Sequence, residues 1–214
     1  MAYDLEEQEK IDQIKSWWAS YGNIVTTLLT LIAVAYLAFQ GYQWYENRQA
    51  KKSLIYYDIV YSVSQNFNPQ SSDIKRLEEA IKVLKDDFSS SAYTDRAILI
   101  ASNIYFKNKD LASSALNLNW VLDNSDDVGI KETAKLNLSS VLLAQGEIQK
   151  AKDLLKNPSD DFKALFDDRL ADIYMSEGKK EEAFKIWKSL LQIKTLDENF
   201  LEVINMKLKV YGAE

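Results

Sequence analysis

The chain has 214 residues, enough for a membrane segment and one ordinary domain of about 165 residues, and it carries a net charge of −6. It contains no cysteine and no histidine. Those absences exclude disulfides, Ser-His-Asp and Cys-His nucleophiles and most zinc sites, and the acidic balance argues against nucleic acid. With 6 Gly and 2 Pro, the composition predicts an all-α fold.

The first element is an acidic tail over residues 1–22, where Asp4, Glu6, Glu7, Glu9 and Asp12 outnumber Lys10 and Lys15. Between Lys15 and Glu46 there are 30 residues without a charge, and a transmembrane helix is predicted over 23–45. Its stretch from Ile24 to Tyr45 would extend roughly 33 Å as a helix, close to the hydrocarbon thickness of a bilayer. Trp17, Trp18 and Tyr21 flank one end and Tyr42, Trp44 and Tyr45 the other, so both predicted interfaces with membrane lipid carry amphipathic aromatics. A buried core helix would not need so long an uncharged run. Ala33-Val34-Ala35 has the small-x-small form of a signal-cleavage site, but the preceding region is acidic and the apolar run continues, so the segment is expected to stay uncleaved. Counting Lys and Arg on the two sides leaves the orientation undecided.

Residues 46–70 read as a juxtamembrane helical stalk and turn, with the helix running to about Phe67 and Pro69 in the break. A tetratricopeptide-like helical-hairpin solenoid is predicted over 71–214. Ile74, Leu77, Ile81, Leu84 and Phe88 recur at intervals of 3 and 4, the period of an amphipathic helix. From residue 92 a helix-turn-helix unit occurs three times. The clearest copy places Leu170, Ala171 and Tyr174 before Gly178, and Ala183, Phe184 and Trp187 after it. Leu138, Ser139, Leu142, Gly146, Ala151 and Leu155 stand at corresponding points 32 residues upstream. A first copy around Ala101, Tyr105, Lys109, Ser114 and Leu118 is offset by 37. Small residues at Ala171 and Ala183 predict close approach of the paired helices. The last segment is expected to cap the stack, with Thr195 and Glu198 at capping-box spacing and Leu196, Phe200, Val203, Ile204, Leu208 and Tyr211 forming an apolar stripe.

Acidic pairs at Asp86-Asp87, Asp126-Asp127, Asp160-Asp161 and Asp167-Asp168, and Asp168 with Asp172 one helical turn on, are read as solvated acids at helix ends and turns rather than as a metal or acid–base site. Gly146 and Gly178 read as helix C-caps, since no phosphate-binding loop accompanies them. Tyr105, Tyr174, Phe184 and Trp187 are candidates for repeat packing or for lining a partner groove. No catalytic, cofactor-binding or metal-ligating residue is predicted, and an interaction protein rather than an enzyme is expected. Stacked helical hairpins build a concave surface of the kind that binds extended segments or helices of partners.

The segments EEQEKIDQIKSWWASYGN, QWYENRQAKKS and YMSEGKKEEAFKIWKSLL, in this order around a single span, resemble the YfgM-like family, ancillary subunits of the bacterial SecYEG translocon. The resemblance covers essentially the whole chain. It implies a single-pass protein of the bacterial inner membrane, N-terminus cytoplasmic and repeat domain periplasmic. Its partners would be SecYEG, the periplasmic chaperone PpiD and exported polypeptides leaving the translocon. The implied role is non-enzymatic, within a periplasmic chaperone network. The sequence departs from the family in the run of Thr26, Thr27 and Thr30 and in its uneven first repeat. A membrane-anchored scaffold for envelope assembly, in outer-membrane biogenesis or cell-wall synthesis, would share this topology. A metal-dependent enzyme would instead need the acidic residues to converge in one pocket.

Overall fold

A computed structural model describes the backbone of residues 2–212 and the side chains of residues 6–212. The start of the predicted acidic tail, including the side chain of Asp4, and the last two residues of the predicted 71–214 domain lie outside the described residues. Among those described there is no strand. The described residues form nine α-helices, in order: α1 (Ala2–Ser64), α2 (Ser71–Asp87), α3 (Ala92–Lys107), α4 (Leu111–Asn124), α5 (Val128–Ala144), α6 (Ile148–Leu154), α7 (Lys163–Ser176), α8 (Lys180–Leu190) and α9 (Glu198–Tyr211). A 3-10 turn, Asp160–Phe162, precedes α7. The chain divides into two units at Lys51 and Lys52.

In the first unit, α1 is long and apolar enough to cross a membrane, and almost none of its apolar stretch is buried within the protein. Leu28, Leu31, Ile32, Leu37 and Phe39 are all more than half exposed. A helix surrounded by apolar side chains that nothing covers is suited to hydrocarbon rather than water. The threonine run fits that setting. Thr26 Oγ1 donates to the Gly22 carbonyl at 2.9 Å, Thr27 Oγ1 to Asn23 at 2.7 Å and Thr30 Oγ1 to Thr26 at 2.8 Å. Gln40 Nε2 donates to the Tyr36 hydroxyl at 2.8 Å. The three hydroxyls thereby find acceptors on their own helix, and the Gln40 amide places one of its donors there, as suits a spanning segment. The aromatics predicted at the two interfaces are all exposed, Trp17 and Tyr21 with ring centroids 5.8 Å apart and Trp44 beneath the Arg48 guanidinium at 5.3 Å.

The second unit begins within α1, which ends at Ser64, three residues before the predicted Phe67. Val60 and Val63 enter a core with Leu77 and Leu84 of α2, Ile98 of α3 and Leu118 of α4. Ser53 Oγ lies 2.7 Å from Ser91 Oγ, and Tyr57 packs on Tyr93 at 5.5 Å.

The three predicted repeats are the hairpins α3/α4, α5/α6 and α7/α8, and one turn chemistry makes all three. Lys109, Gly146 and Gly178 have φ of 62°, 80° and 75°, the left-handed region that closes a helix. After each, the next amide reaches back five residues: Asp110 to the Tyr105 carbonyl, Glu147 to Leu142, and Lys179 to Tyr174. The left-handed residues themselves bond Phe106, Leu143 and Met175. Together these bonds satisfy carbonyls that a helix end leaves without partners.

The returning helix then packs closely because small residues face each other. Ala171 and Ala183 are wholly buried, and Ser114 Oγ donates to the Ser102 carbonyl at 2.8 Å. α9 covers the last hairpin through Ile204 and Leu208, which join Ala171, Ala183, Trp187 and Leu190 in one cluster. The rest of its predicted apolar stripe divides: Leu196 and Phe200 are half-buried, whereas Val203 and Tyr211 are largely exposed. The expected Thr195–Glu198 capping box does not form. Asp197 is the N-cap, its Oδ1 accepting from the amides of Asn199 and Phe200 at 3.0 and 3.2 Å. The helix starts at Glu198, so Thr195 lies too far upstream to reach its free amides, while the Asp197 carboxylate also complements the helix dipole.

Candidate partner groove

Each hairpin contributes one helix, α3, α5 or α7, to a common side of the second unit, since α3 packs on α5 and α5 on α7. Two adjoining cavities open there. A cavity of about 350 Å³ is lined from α3 by Asn103, Phe106 and Lys107, from α5 by Asn137 and Ser140, and from α7 by Arg169. The second, about 520 Å³, shares Asn103 and Lys107 and extends past Ile100 to Phe67 and Pro69 in the α1–α2 turn. Ser114 and Leu118 of α4 form part of the floor of the first.

Repeat geometry explains why these side chains meet. The left-handed residues follow one another at 37 and 32 residues. The same offsets bring Ile100, Asn137 and Arg169 into register, and Asn103 with Ser140. The stretch of chain before each turn thus presents equivalent positions on neighbouring helices. None of these residues is aromatic, and most are polar, so none stands out locally in the sequence. The signal was available in the repeat register.

The groove is basic within an acidic protein. Neither cavity has an aspartate or glutamate in its lining, although the chain carries 32 acidic residues. Lys107 ends α3 and makes no ion pair among the described residues. Arg169 has only a long contact to Asp172, at 4.0 Å, and its buried Nε lacks a hydrogen-bond partner. Asn103 and Asn137 add carboxamides, each able to donate and accept.

Tyr105, Tyr174, Phe184 and Trp187 are not brought together in this groove. Tyr105 is 5% exposed, in the core among α3 and α4, where burial pushes its hydroxyl up to about 12. Trp187 is 0% exposed; its ring stacks on Tyr211 at 5.8 Å and its Nε1 donates to Asp168 Oδ1 at 2.7 Å. Phe184 packs beside it with centroids 6.4 Å apart. Tyr174 is half-buried with Lys152 Nζ 4.8 Å above its ring and Lys179 Nζ at 5.9 Å. All four make packing contacts within the second unit, inside a hairpin or between one hairpin and the next element.

The acidic pairs also differ from simple solvated acids in one case. Asp127 is the N-cap of α5, as a helix-terminal acid should be. Asp168 and Asp172, however, are partly buried and share Lys207 of α9. That arrangement is an ion-paired clasp. No cluster of three or more metal-ligating side chains occurs among the described residues.

Comparison with known proteins agrees with this architecture. The family model for a tetratricopeptide repeat-like domain matches residues 15–212. A protein of Neisseria gonorrhoeae named ancillary SecYEG translocon subunit is 30% identical over 212 residues, 97% of this chain and 98% of its own length. Proteins of the same name from Haemophilus influenzae and Buchnera aphidicola are 25% and 24% identical, over 86% and 87% of this chain and 87% and 93% of theirs. With its hairpins, its apolar first helix and end-to-end similarity to these relatives, the chain belongs to the tetratricopeptide repeat-like family and to the YfgM-like family of ancillary SecYEG translocon subunits.

Proposed function

We propose that this chain is a non-enzymatic, single-pass inner-membrane protein that associates with the SecYEG translocon and assists exported polypeptides as they emerge. The similarity over nearly the full length of both chains to a protein named ancillary SecYEG translocon subunit carries this reading. The exposed apolar helix supports the membrane anchor, and the open groove on α3, α5 and α7 supports a binding role rather than a reaction. The tail over 1–22 is cytoplasmic, the span covers 23–45, and the stalk at 46–70 and the domain over 71–214 are periplasmic. Trp17, Trp18 and Tyr21 sit at the cytoplasmic interface and Tyr42, Trp44 and Tyr45 at the periplasmic one, in contact with lipid. The chaperone PpiD is a companion at the same place.

Purification of the tagged full chain in mild detergent tests this. SecYEG, with PpiD, is the expected company. Recovery of outer-membrane assembly or cell-wall enzymes in their place would favour an envelope scaffold of the same topology. Protease added to intact cells should spare the repeat domain, and protease added to spheroplasts should digest it; protection in spheroplasts would contradict the orientation.

A further inference from the structure

We infer that the groove on α3, α5 and α7 holds an extended, acidic polypeptide segment, its carboxylates drawn to Lys107 and Arg169 and its backbone held by Asn103 and Asn137. The inference stands on the groove itself and does not depend on which membrane machine the protein accompanies.

Charge is the first argument. In a chain of net charge −6, a groove whose linings hold two cations and no carboxylate is complementary to an anion. Lys107 makes no ion pair among the described residues, and the Arg169 side chain, about one third exposed, has only the 4.0 Å contact to Asp172. A partly exposed guanidinium with no close ion pair is suited to a planar carboxylate.

Shape is the second. The two cavities share Asn103 and Lys107 in their linings, and together their linings extend from the α1–α2 turn over α3 to α5 and α7, a longer surface than one compact pocket. Helices pack at roughly 8–10 Å, so α3 to α7 spans about 16–20 Å. Extended chain covers that in about five or six residues. A small free anion would leave most of this length empty. A lone helix would hide its backbone amides from the carboxamides of Asn103 and Asn137, whereas an extended segment presents both an N–H and a C=O to each.

The third argument is the apolar end. Phe67 is fully exposed in the α1–α2 turn and lines the wider cavity with Ile100 and Ile104. Phe106 is partly exposed in the narrower one. An acidic segment that also carries an apolar side chain would therefore bury one side chain against Phe67 and Ile100 while its carboxylates reach Lys107 and Arg169.

The full chain in nanodiscs, titrated against fluorescein-labelled ten-residue peptides and read by fluorescence anisotropy, provides the test. One peptide combines Asp and Glu with a central Phe; its counterpart replaces each acid by Lys. The acidic peptide should bind, more weakly as salt rises, and the lysine peptide should not. The double variant Lys107→Glu/Arg169→Glu should weaken acidic-peptide binding roughly 10-fold or more and should now accept the lysine peptide. Lys107→Glu alone, at an exposed position, should show the same trend without disturbing the fold. Equal binding of both peptides, unchanged binding by the variants, or no binding of the acidic peptide would overturn the inference. So would loss of binding when only the peptide's C-terminus is amidated, which would make the chain end the ligand.

Discussion

Lys207 Nζ stands 2.7 Å from Asp168 Oδ1 and 2.9 Å from Asp168 Oδ2, joining the terminal helix α9 to α7 across 39 residues of sequence. The same ammonium bonds Asp172 at 2.8 Å, and Trp187 Nε1 of α8 donates to Asp168. One lysine thus bridges two carboxylates that would otherwise repel each other one helical turn apart. Lys207→Ala is expected to destabilise the second unit by about 1–3 kcal/mol, less than a fully buried pair because all three groups retain some solvent contact. Trp187→Phe removes one hydrogen bond to Asp168 and should cost about 1–2 kcal/mol. Because both act on Asp168, urea unfolding of the double variant should show a non-additive loss. Strict additivity would mean that the clasp is not a unit.

The three hairpin turns give an internal comparison. Lys109 adopts the left-handed conformation that Gly146 and Gly178 adopt at equivalent positions, and a side chain there costs about 1 kcal/mol. Lys109→Gly should raise the midpoint of urea unfolding. Gly146→Ala and Gly178→Ala should each lower it by about 1 kcal/mol, since nothing lies within 4 Å of either added methyl group and only the backbone conformation opposes it.

Much of this was legible in the sequence because hairpin turns depend on local chemistry. Gly146 and Gly178 mark their turns directly, and small residues at Ala171 and Ala183 mark the close helix approach. The first repeat was harder to see because lysine occupies its left-handed position. The groove was least legible. Buried aromatics such as Trp187 and Tyr105 attract notice first, but they are consumed by packing. The residues left facing the groove are ordinary asparagines and cations, and only the repeat register brings them together. The Lys207 clasp was illegible for another reason: its partners are remote in sequence, and nothing local in α9 indicates which face meets α7.

Buried Asp95 sets a pH dependence. Its Oδ2 accepts from Ser125 Oγ at 2.5 Å, while its Oδ1 has no partner. Burial holds its carboxyl above the ordinary 3.8, against the Ser125 hydrogen bond, and Asp127 adds to the upward shift. A raised folded-state value means that the folded chain retains a proton the unfolded chain has lost. This group's contribution is therefore full below pH 3.8 and falls as pH rises through the raised value. Asp95→Asn, which cannot ionise, should remove that decline. Urea unfolding at a series of pH values checks it; an unchanged pH profile in the variant would rule Asp95 out.

The first unit makes a prediction about its hydroxyls. Because Thr27 and Thr30 close on their own helix carbonyls, Thr27→Val and Thr30→Val should leave membrane insertion intact. Leu31→Asp, near the middle of the span, should cost about 2.5–3.5 kcal/mol of insertion free energy. Alkaline extraction of membranes separates the outcomes: the valine variants stay in the pellet, and a substantial fraction of the aspartate variant is released.

The central claim, an anchored protein whose groove receives exported chains at the translocon, meets its most direct test in site-specific photocrosslinking. A photoreactive amino acid replaces Phe106 in the groove, with Leu116, exposed on α4, as the control position. Both full-length proteins are irradiated in cells while an exported polypeptide is stalled in transit. The account predicts an adduct between position 106 and the stalled chain, absent or much weaker from position 116. Equal adducts from the two positions, or adducts at 106 only with cytoplasmic proteins, would contradict it.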